Sequence, residues 1–250
     1  MAEPGRRVDG RFTDGPLGAL ALLTRIPTPG LRTISPRRSL WWMAPVGALC
    51  GAVAGLIYWL AASAGAEVLA AALAVGALAL VSGGLHLDGL MDTADGLGVP
   101  RSAGRALEIM KDSHAGAFGV IACVVVLLVK VCALVDTDPA QAPLALLAGG
   151  MVSRGVLPAL AWAFPYAREE GMARAFFRQA GPGHAALGLL LGLGVTTMVP
   201  GGIVAGIVAV ATGGLVALWA RRRLGGITGD VLGACCEIVE ASFLIGCALA

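Results

Sequence analysis

The 250 residues are 57% apolar and 14% charged, with a mean hydropathy of +0.82. A soluble domain carries about 25% charged residues, so the composition excludes one and points to an all-α, polytopic bundle of about seven spans in a lipid bilayer, with no room for a separate soluble domain. A net charge of +2 gives no footing for nucleic-acid binding.

Residues 1–15, MAEPGRRVDGRFTDG, are polar and rich in Gly and Arg and read as a disordered tail, which leaves 16–250 as one integral-membrane domain. The apolar piece Leu17 to Leu23 is too short for a cleavable signal, runs into Thr24-Arg25-Ile26-Pro27, and is expected to lie in the interface or dip into the protein. Arg32, Arg37 and Arg38 precede Trp41-Trp42, an aromatic pair suited to the headgroup level, where the first span starts. Spans are expected at 41–62, 66–86, 117–135, 142–165, 184–199, 201–220 and 230–249. The run 184–199 is short for about 30 Å of hydrocarbon, and with Pro200-Gly201-Gly202 behind it the pair could instead form a hairpin or a broken helix.

The second span closes on Gly83-Gly84-Leu85-His86-Leu87-Asp88-Gly89-Leu90-Met91-Asp92-Thr93-Ala94-Asp95-Gly96. On a helix turning 100° per residue, Asp92 lies about 40° from Asp88 and Asp95 about 20° to the other side, so the three carboxylates share one face. Three negative charges within two turns at the edge of a membrane repel one another strongly. A hard divalent cation suits such an oxygen-only set, and Mg²⁺ binds a few carboxylates plus substrate phosphate. The alternative is a solvated helix end.

Glu108-Ile109-Met110-Lys111-Asp112-Ser113-His114 reads either as a charged juxtamembrane loop or as a group over a phosphate, with Lys111 a point charge and Asp112 a metal ligand or base. Lys130, toward the outer end of the third span, can snorkel and is assigned no chemistry. Arg154, near the middle of the fourth apolar run, must face a partner, either a buried carboxylate or the oxygens of a diphosphate. In Arg221-Arg222-Arg223-Leu224-Gly225-Gly226-Ile227-Thr228-Gly229-Asp230, the triple Arg anchors topology. Arg222, Arg223 and the Gly225-Gly226 turn also offer cations and backbone N–H groups near a helix start, an anion cradle. Asp230 either caps that helix or joins Glu237, seven residues on and on the same face, at the site. No Ser, His and Asp arrangement and no nucleotide P-loop competes with diphosphate chemistry.

Sixteen of the eighteen basic residues fall in the tail and alternate loops, which the positive-inside rule makes cytoplasmic. The amino terminus and the acidic face are then expected at the cytoplasmic side of a cell (inner) membrane. Gly47, Gly51 and Gly55, Gly188 with Gly192, and Gly202 with Gly206 are small-residue steps that let helices approach, within one chain or between the subunits of a homo-oligomer. The six cysteines fall in apolar runs without CxxC spacing, which gives no disulfide framework and no zinc or haem site.

Four stretches resemble the membrane-bound cobalamin synthases, the adenosylcobinamide-GDP ribazoletransferases. They are Leu23-Thr24-Arg25-Ile26-Pro27, GGLHLDGLMDTADGL from Gly83 to Leu97, EIMKDSHAGAFG from Glu108 to Gly119, and RRLGGITGDVLGA from Arg222 to Ala234. The resemblance covers nearly the whole chain from about Leu20. Met91 stands where the family usually has Ala, and His114 where it commonly has Arg. A neutral His lacks the fixed charge of Arg, so a phosphate role does not carry over to that position. The resemblance implies a Mg²⁺-dependent last assembly step of the cobalamin nucleotide loop, in which a hydroxyl of α-ribazole or its 5'-phosphate attacks adenosylcobinamide-GDP and releases GMP. In that reaction Asp88, Asp92 and Asp95 are expected to hold the metal, Asp112 or Asp95 to act as base, Lys111 and Arg154 to contact the diphosphate, and Asp230 and Glu237 to complete the site. Membrane transferases acting on CDP-alcohols or prenyl diphosphates also have Asp-rich helix ends, and a transporter could carry acids and Arg in its spans. The spacing Asp-x3-Asp-x2-Asp behind Gly-Gly-Leu-His-Leu discriminates against the transferases, and the gathering of the acids at one membrane face, without a clear inverted repeat, against the transporter.

Overall fold

The structure, a computed structural model, describes residues 13–31 and 33–250. Residues 1–12 of the expected tail and Arg32 lie outside them, and the last tail residues, Asp14 and Gly15, already belong to the first helix. Among the described residues the chain is helical, without a strand. In order it runs α1 (Asp14–Leu23), α2 (Pro36–Ser39), a 3-10 turn (Leu40–Trp42), α3 (Met43–Ala62), α4 (Glu67–Val81), α5 (Leu85–Leu97), α6 (Ala103–Ile109) and α7 (Ala117–Asp136). It continues with α8 (Ala142–Gly155), α9 (Leu157–Ala163), α10 (Arg174–Gln179), α11 (Pro182–Thr196), α12 (Gly202–Leu224) and α13 (Gly229–Ala248).

Five stretches among the described residues are long and apolar enough to cross a membrane: 36–62, 117–136, 142–163, 202–224 and 229–248. A sixth is reached only if α4 and α5 are taken together, and they are bent by 88°. The expected span 66–86 is thereby corrected. Its helix stops at Val81, and Gly83 (φ 62°) and Gly84 (φ 72°) turn the chain into α5. Two successive left-handed residues favour glycine, which has no Cβ to clash there. At 15 residues, or about 22 Å, α11 falls short of the hydrocarbon thickness.

α1 ends where Thr24 Oγ1 donates to the Leu20 carbonyl at 2.7 Å, and the Arg25 N–H then bonds the Val81 carbonyl at 2.8 Å. The short apolar piece is therefore fastened to the bend between α4 and α5. Small residues set the helix spacing. A Cβ on Gly55 would lie 2.7 Å from the Pro143 carbonyl of α8, and one on Gly155 would lie 2.5 Å from the Gly188 carbonyl of α11. The glycine steps seen in the sequence are thus used for packing inside this chain. All six cysteines are free thiols, four of them buried.

Lys130 does not snorkel. Its side chain is 2% exposed, and Nζ donates to Glu237 Oε2 at 2.5 Å and Glu240 Oε1 at 2.7 Å. Glu240 also pairs with Arg154, whose Nη1 donates to Ser153 Oγ at 2.9 Å. Two cations and two carboxylates therefore form a neutral network that ties α7, α8 and α13 together. Pairing of this kind is the condition for keeping charge at membrane depth.

The loops at one end of the bundle are joined by their basic residues. Arg37 N–H donates to Gln179 Oε1 at 2.9 Å, Arg168 Nη2 to the Met110 carbonyl at 3.2 Å, and Arg223 Nη2 to the Val99 carbonyl at 3.1 Å. The chain leaving α5 joins this end, since Val99 follows the helix.

Candidate active site

α5 crosses α13 at two glycines. A Cβ on Gly89 would lie 2.7 Å from the Asp230 carbonyl, and one on Gly233 would lie 3.2 Å from the His86 carbonyl. Backbone contact at this crossing brings Asp88 and Asp92 beside Asp230, so that each carboxylate acts on the others electrostatically. Asp230 does not cap α13. Thr228 performs that task by accepting from the Val231 N–H at 3.2 Å, which leaves the Asp230 carboxylate free to pair with Arg168 at 2.7 Å.

Arg168 is held in place from both sides. Ile227 N–H donates to the Pro165 carbonyl and Ala167 N–H to the Ile227 carbonyl, each at 2.9 Å, so the loop carrying Arg168 is laced to the start of α13. The same guanidinium bonds the Met110 carbonyl, which ties in the turn after α6. The sequence presents Arg168 only as one of many topological charges. Its partner lies 62 residues away across the bundle, and no local spacing announces it.

A cavity of about 300 Å³ opens beside this cluster. Its wall is mostly apolar, from residues such as Leu23, Met43, Leu157, Ala161 and Phe176, and its polar side chains are His86, Asp88, Tyr166, Arg168 and Asp230. A more open groove of about 750 Å³ between Trp41, Trp42 and Leu187 has no carboxylate in its lining.

The other expected site residues separate into groups. Asp95 faces the start of α7, where its carboxylate accepts from Gly116 N–H at 2.8 Å and Gly119 N–H at 2.9 Å. Lys111 and Asp112 lie in an exposed turn. There the His114 ring nitrogen, 2.6 Å away, and the His114 backbone N–H hold the Asp112 carboxyl below the ordinary carboxylate range, which weakens it as a base. Arg154 and Glu237 are not brought to the cluster. They belong to the buried network, and Glu237 sits two turns, or about 10 Å, along α13 from Asp230.

Arg222 is exposed on the last turn of α12, while Arg223 is bonded to Val99. The Gly225-Gly226 turn is not an open cradle. Gly225 (φ 79°) ends α12 with its N–H on the Arg221 carbonyl at 2.8 Å, and Gly226 packs on the backbone of Pro165 and Ala167.

Among the described residues, no group of three or more His, Cys, Asp or Glu side chains is placed to hold a metal ion by itself. Mg²⁺ seldom uses such a group. It keeps water and takes one or two carboxylates together with substrate phosphates. Asp88 and Asp92 make no side-chain hydrogen bond among the described residues, so their oxygens are available, and one or both fit this ion as hard oxygen donors, while Asp230 beside them is paired with Arg168.

The profile of a family described as cobalamin-5-phosphate synthase matches residues 15–248. The chain is similar to an adenosylcobinamide-GDP ribazoletransferase of Chlorobaculum tepidum, 37% identical over 94% of this chain and 95% of that one. It is likewise similar to proteins of the same name from Klebsiella pneumoniae, 37% identical over 91% of this chain and 96% of that one, and from Leptothrix cholodnii, 38% identical over 91% and 92%. No solved structure matches the chain.

Proposed function

The chain belongs to the cobalamin-5-phosphate synthase family, and from that premise we propose that it carries out the last assembly step of cobalamin at the crossing of α5 and α13. The adenosylcobinamide-phosphate group passes from adenosylcobinamide-GDP to α-ribazole or its 5'-phosphate, and GMP leaves. A ribose hydroxyl forms the new P–O bond at the phosphorus next to the aminopropanol arm. The bond from that phosphorus to the bridging oxygen breaks, GMP keeps the electron pair, and the hydroxyl proton passes to a carboxylate.

The observation that carries this reading is the glycine crossing, which places Asp88 and Asp92 against the Asp230–Arg168 pair at the mouth of a cavity. Asp88 and Asp92 would hold Mg²⁺ together with substrate oxygens, with Asp230 beside them, and when bound the ion supplies charge neutralisation of the diphosphate. Arg168 orients Asp230 and presents a fixed cation to the leaving phosphate. Lys111 and Arg222, exposed on the same end, draw the anionic substrate in. Asp95 sets the position of α7 and so of the Lys111 turn. Arg154 and Glu237 act on the fold.

We place the basic end, with the amino terminus and the site, on the cytoplasmic side of the inner membrane, where nucleotide substrates are found. Seven crossings follow if α4 with α5 and the short α11 each count as one.

The test is GMP release and cobalamin formation by membranes given adenosylcobinamide-GDP, α-ribazole and Mg²⁺. Wild type makes both products, EDTA abolishes them, and Asp92→Asn lowers the rate by about 100-fold or more. Wild-type turnover by Asp92→Asn refutes the carboxylate assignment. No cobalamin from wild type under any condition refutes the transferase.

A further inference from the structure

The cavity beside the carboxylates has a property that the phosphoryl-transfer chemistry does not use. His86 lines it and is 3% exposed, yet its side chain makes no hydrogen bond among the described residues, and Nδ1 is fully buried without a partner. Nδ1 is sealed from the cavity, whereas Nε2 is not, and it too makes no hydrogen bond among the described residues, so the imidazole offers the cavity a ring nitrogen poised for a ligand.

The polar groups fall in two sets. Asp88, Tyr166 and Arg168 gather round Asp230, whereas His86 lies within electrostatic reach of the buried Arg154, Glu240 and Lys130. Between them the wall is Leu, Met, Ala and Phe. The ligand shape this describes is an apolar body with one hydrogen-bonding atom on one side and hydroxyls on the other.

Resting on the transferase reading, we propose that this cavity is the acceptor pocket. It takes the dimethylbenzimidazole base of α-ribazole, with His86 bonded to the ring nitrogen that the glycosidic bond leaves free, and it turns the ribose hydroxyls toward Asp88 and Asp230. A volume of about 300 Å³ stands at the small end of ligand sites, which span about 300–1,000 Å³. A corrin ring with its side chains is several times too large for it. Guanine is small enough, but the carboxylates in the lining that could pair its N1–H and exocyclic amine are Asp88 and Asp230, which the transfer chemistry occupies. The dimethylbenzimidazole carries two methyl groups and a single free nitrogen, which matches one imidazole in an apolar wall. His86 is thus a specificity-determining residue for the acceptor, and the donor's corrinoid and guanosine remain outside the cavity.

The experiment is equilibrium binding of α-ribazole and, separately, of adenosylcobinamide-GDP to the full-length protein in detergent micelles, for wild type, Ala161→Leu, His86→Leu and His86→Gln. Each wild-type titration is repeated with 5,6-dimethylindole riboside, in which a carbon replaces the free nitrogen. The expected results are a tenfold or greater rise in the Kd of α-ribazole for Ala161→Leu and His86→Leu, recovery in His86→Gln, and a donor Kd within twofold of wild type throughout. Wild type prefers α-ribazole to the indole riboside by tenfold or more, and His86→Leu loses that preference, which a merely structural role would not produce. The pocket assignment is overturned if wild type does not bind α-ribazole, if the donor loses affinity in its place, or if His86→Leu still discriminates between the two ribosides. A wild type that binds α-ribazole with this selectivity and forms no cobalamin supports the pocket and refutes the transferase reading.

Discussion

Replacing Lys130 by Met tests the buried network directly. The wild-type network is neutral, and its members are between 1% and 6% exposed. Lys130→Met keeps much of the aliphatic volume and removes the ammonium. Glu237 then loses the partner that stood 2.5 Å away, and Glu240 keeps Arg154 as its one cation, with Ser153 Oγ beside it. Removing one partner from a buried pair costs about 3–5 kcal/mol, because the remaining charge is left uncompensated. At about 1.4 kcal/mol per decade this is two to four decades in the unfolding equilibrium. The double variant Lys130→Met with Glu237→Gln removes one charge of each sign, leaves the Arg154–Glu240 pair in place, and recovers most of the loss. The assay is reversible unfolding in mixed SDS and detergent micelles, followed by circular dichroism. A single variant within about 1 kcal/mol of wild type, as expected of a lysine whose charge reaches the headgroups, refutes the network.

Gly89→Leu wedges α5 from α13, since even a Cβ would meet the Asp230 carbonyl at 2.7 Å. It lowers transfer activity by about 100-fold, the scale of a misplaced catalytic group, with helicity retained in circular dichroism. Arg168→Lys keeps the charge but cannot hold Asp230 and the Met110 carbonyl with one planar fork, so kcat falls while the protein still folds; an unchanged kcat refutes the positioning role. Asp95→Asn weakens two charge-assisted bonds at the start of α7 and costs about 1–2 kcal/mol in the same SDS titration. The depressed folded-state pKa of Asp112 means that its contact with His114 contributes above the ordinary Asp range and is lost as the pH falls through the lowered value. His114→Ala therefore raises the Asp112 titration midpoint read by carbon NMR.

The span positions were legible because the sequence has long apolar runs, and the observed crossing-length stretches fall within a few residues of those expected. The bend at Gly83-Gly84 was not. An apolar run closing on two glycines looks like a span ending in a loop, and only the left-handed backbone of both residues shows that α5 departs at 88°. The acidic face of α5 followed from helical spacing, but the seven-residue spacing from Asp230 to Glu237 misled. A shared face says nothing of depth, and Glu237 lies about 10 Å further along the helix, in reach of Lys130. Arg168 carries no signal in the sequence for the complementary reason, since a charge in a basic loop reads as topology until its carboxylate partner is located. His86 stood inside the acidic motif, yet its meaning is that it has no partner, which only packing reveals.

α13 performs two tasks along one helix, and their separation explains why the site can tolerate its own charge. Its first turn carries Asp230, which works against Asp88, Asp92 and Arg168 at the polar end. Two and three turns deeper, Glu237 and Glu240 are fastened to α7 and α8 by Lys130 and Arg154. Clustered carboxylates at the crossing push α5 and α13 apart, and glycine contacts alone, which bury little side chain, offer weak resistance to that push. The deep network supplies the missing constraint, holding α13 against its neighbours below the crossing while the Tyr166–Ile227 bridge holds its start. Like charges are thus kept close before any cation or substrate arrives, and the cost of assembling them is met by the fold and not by binding energy. On this argument Lys130→Met should weaken activity as well as stability, and under conditions where the variant remains folded the loss should appear in kcat, with little change in the Kd of α-ribazole.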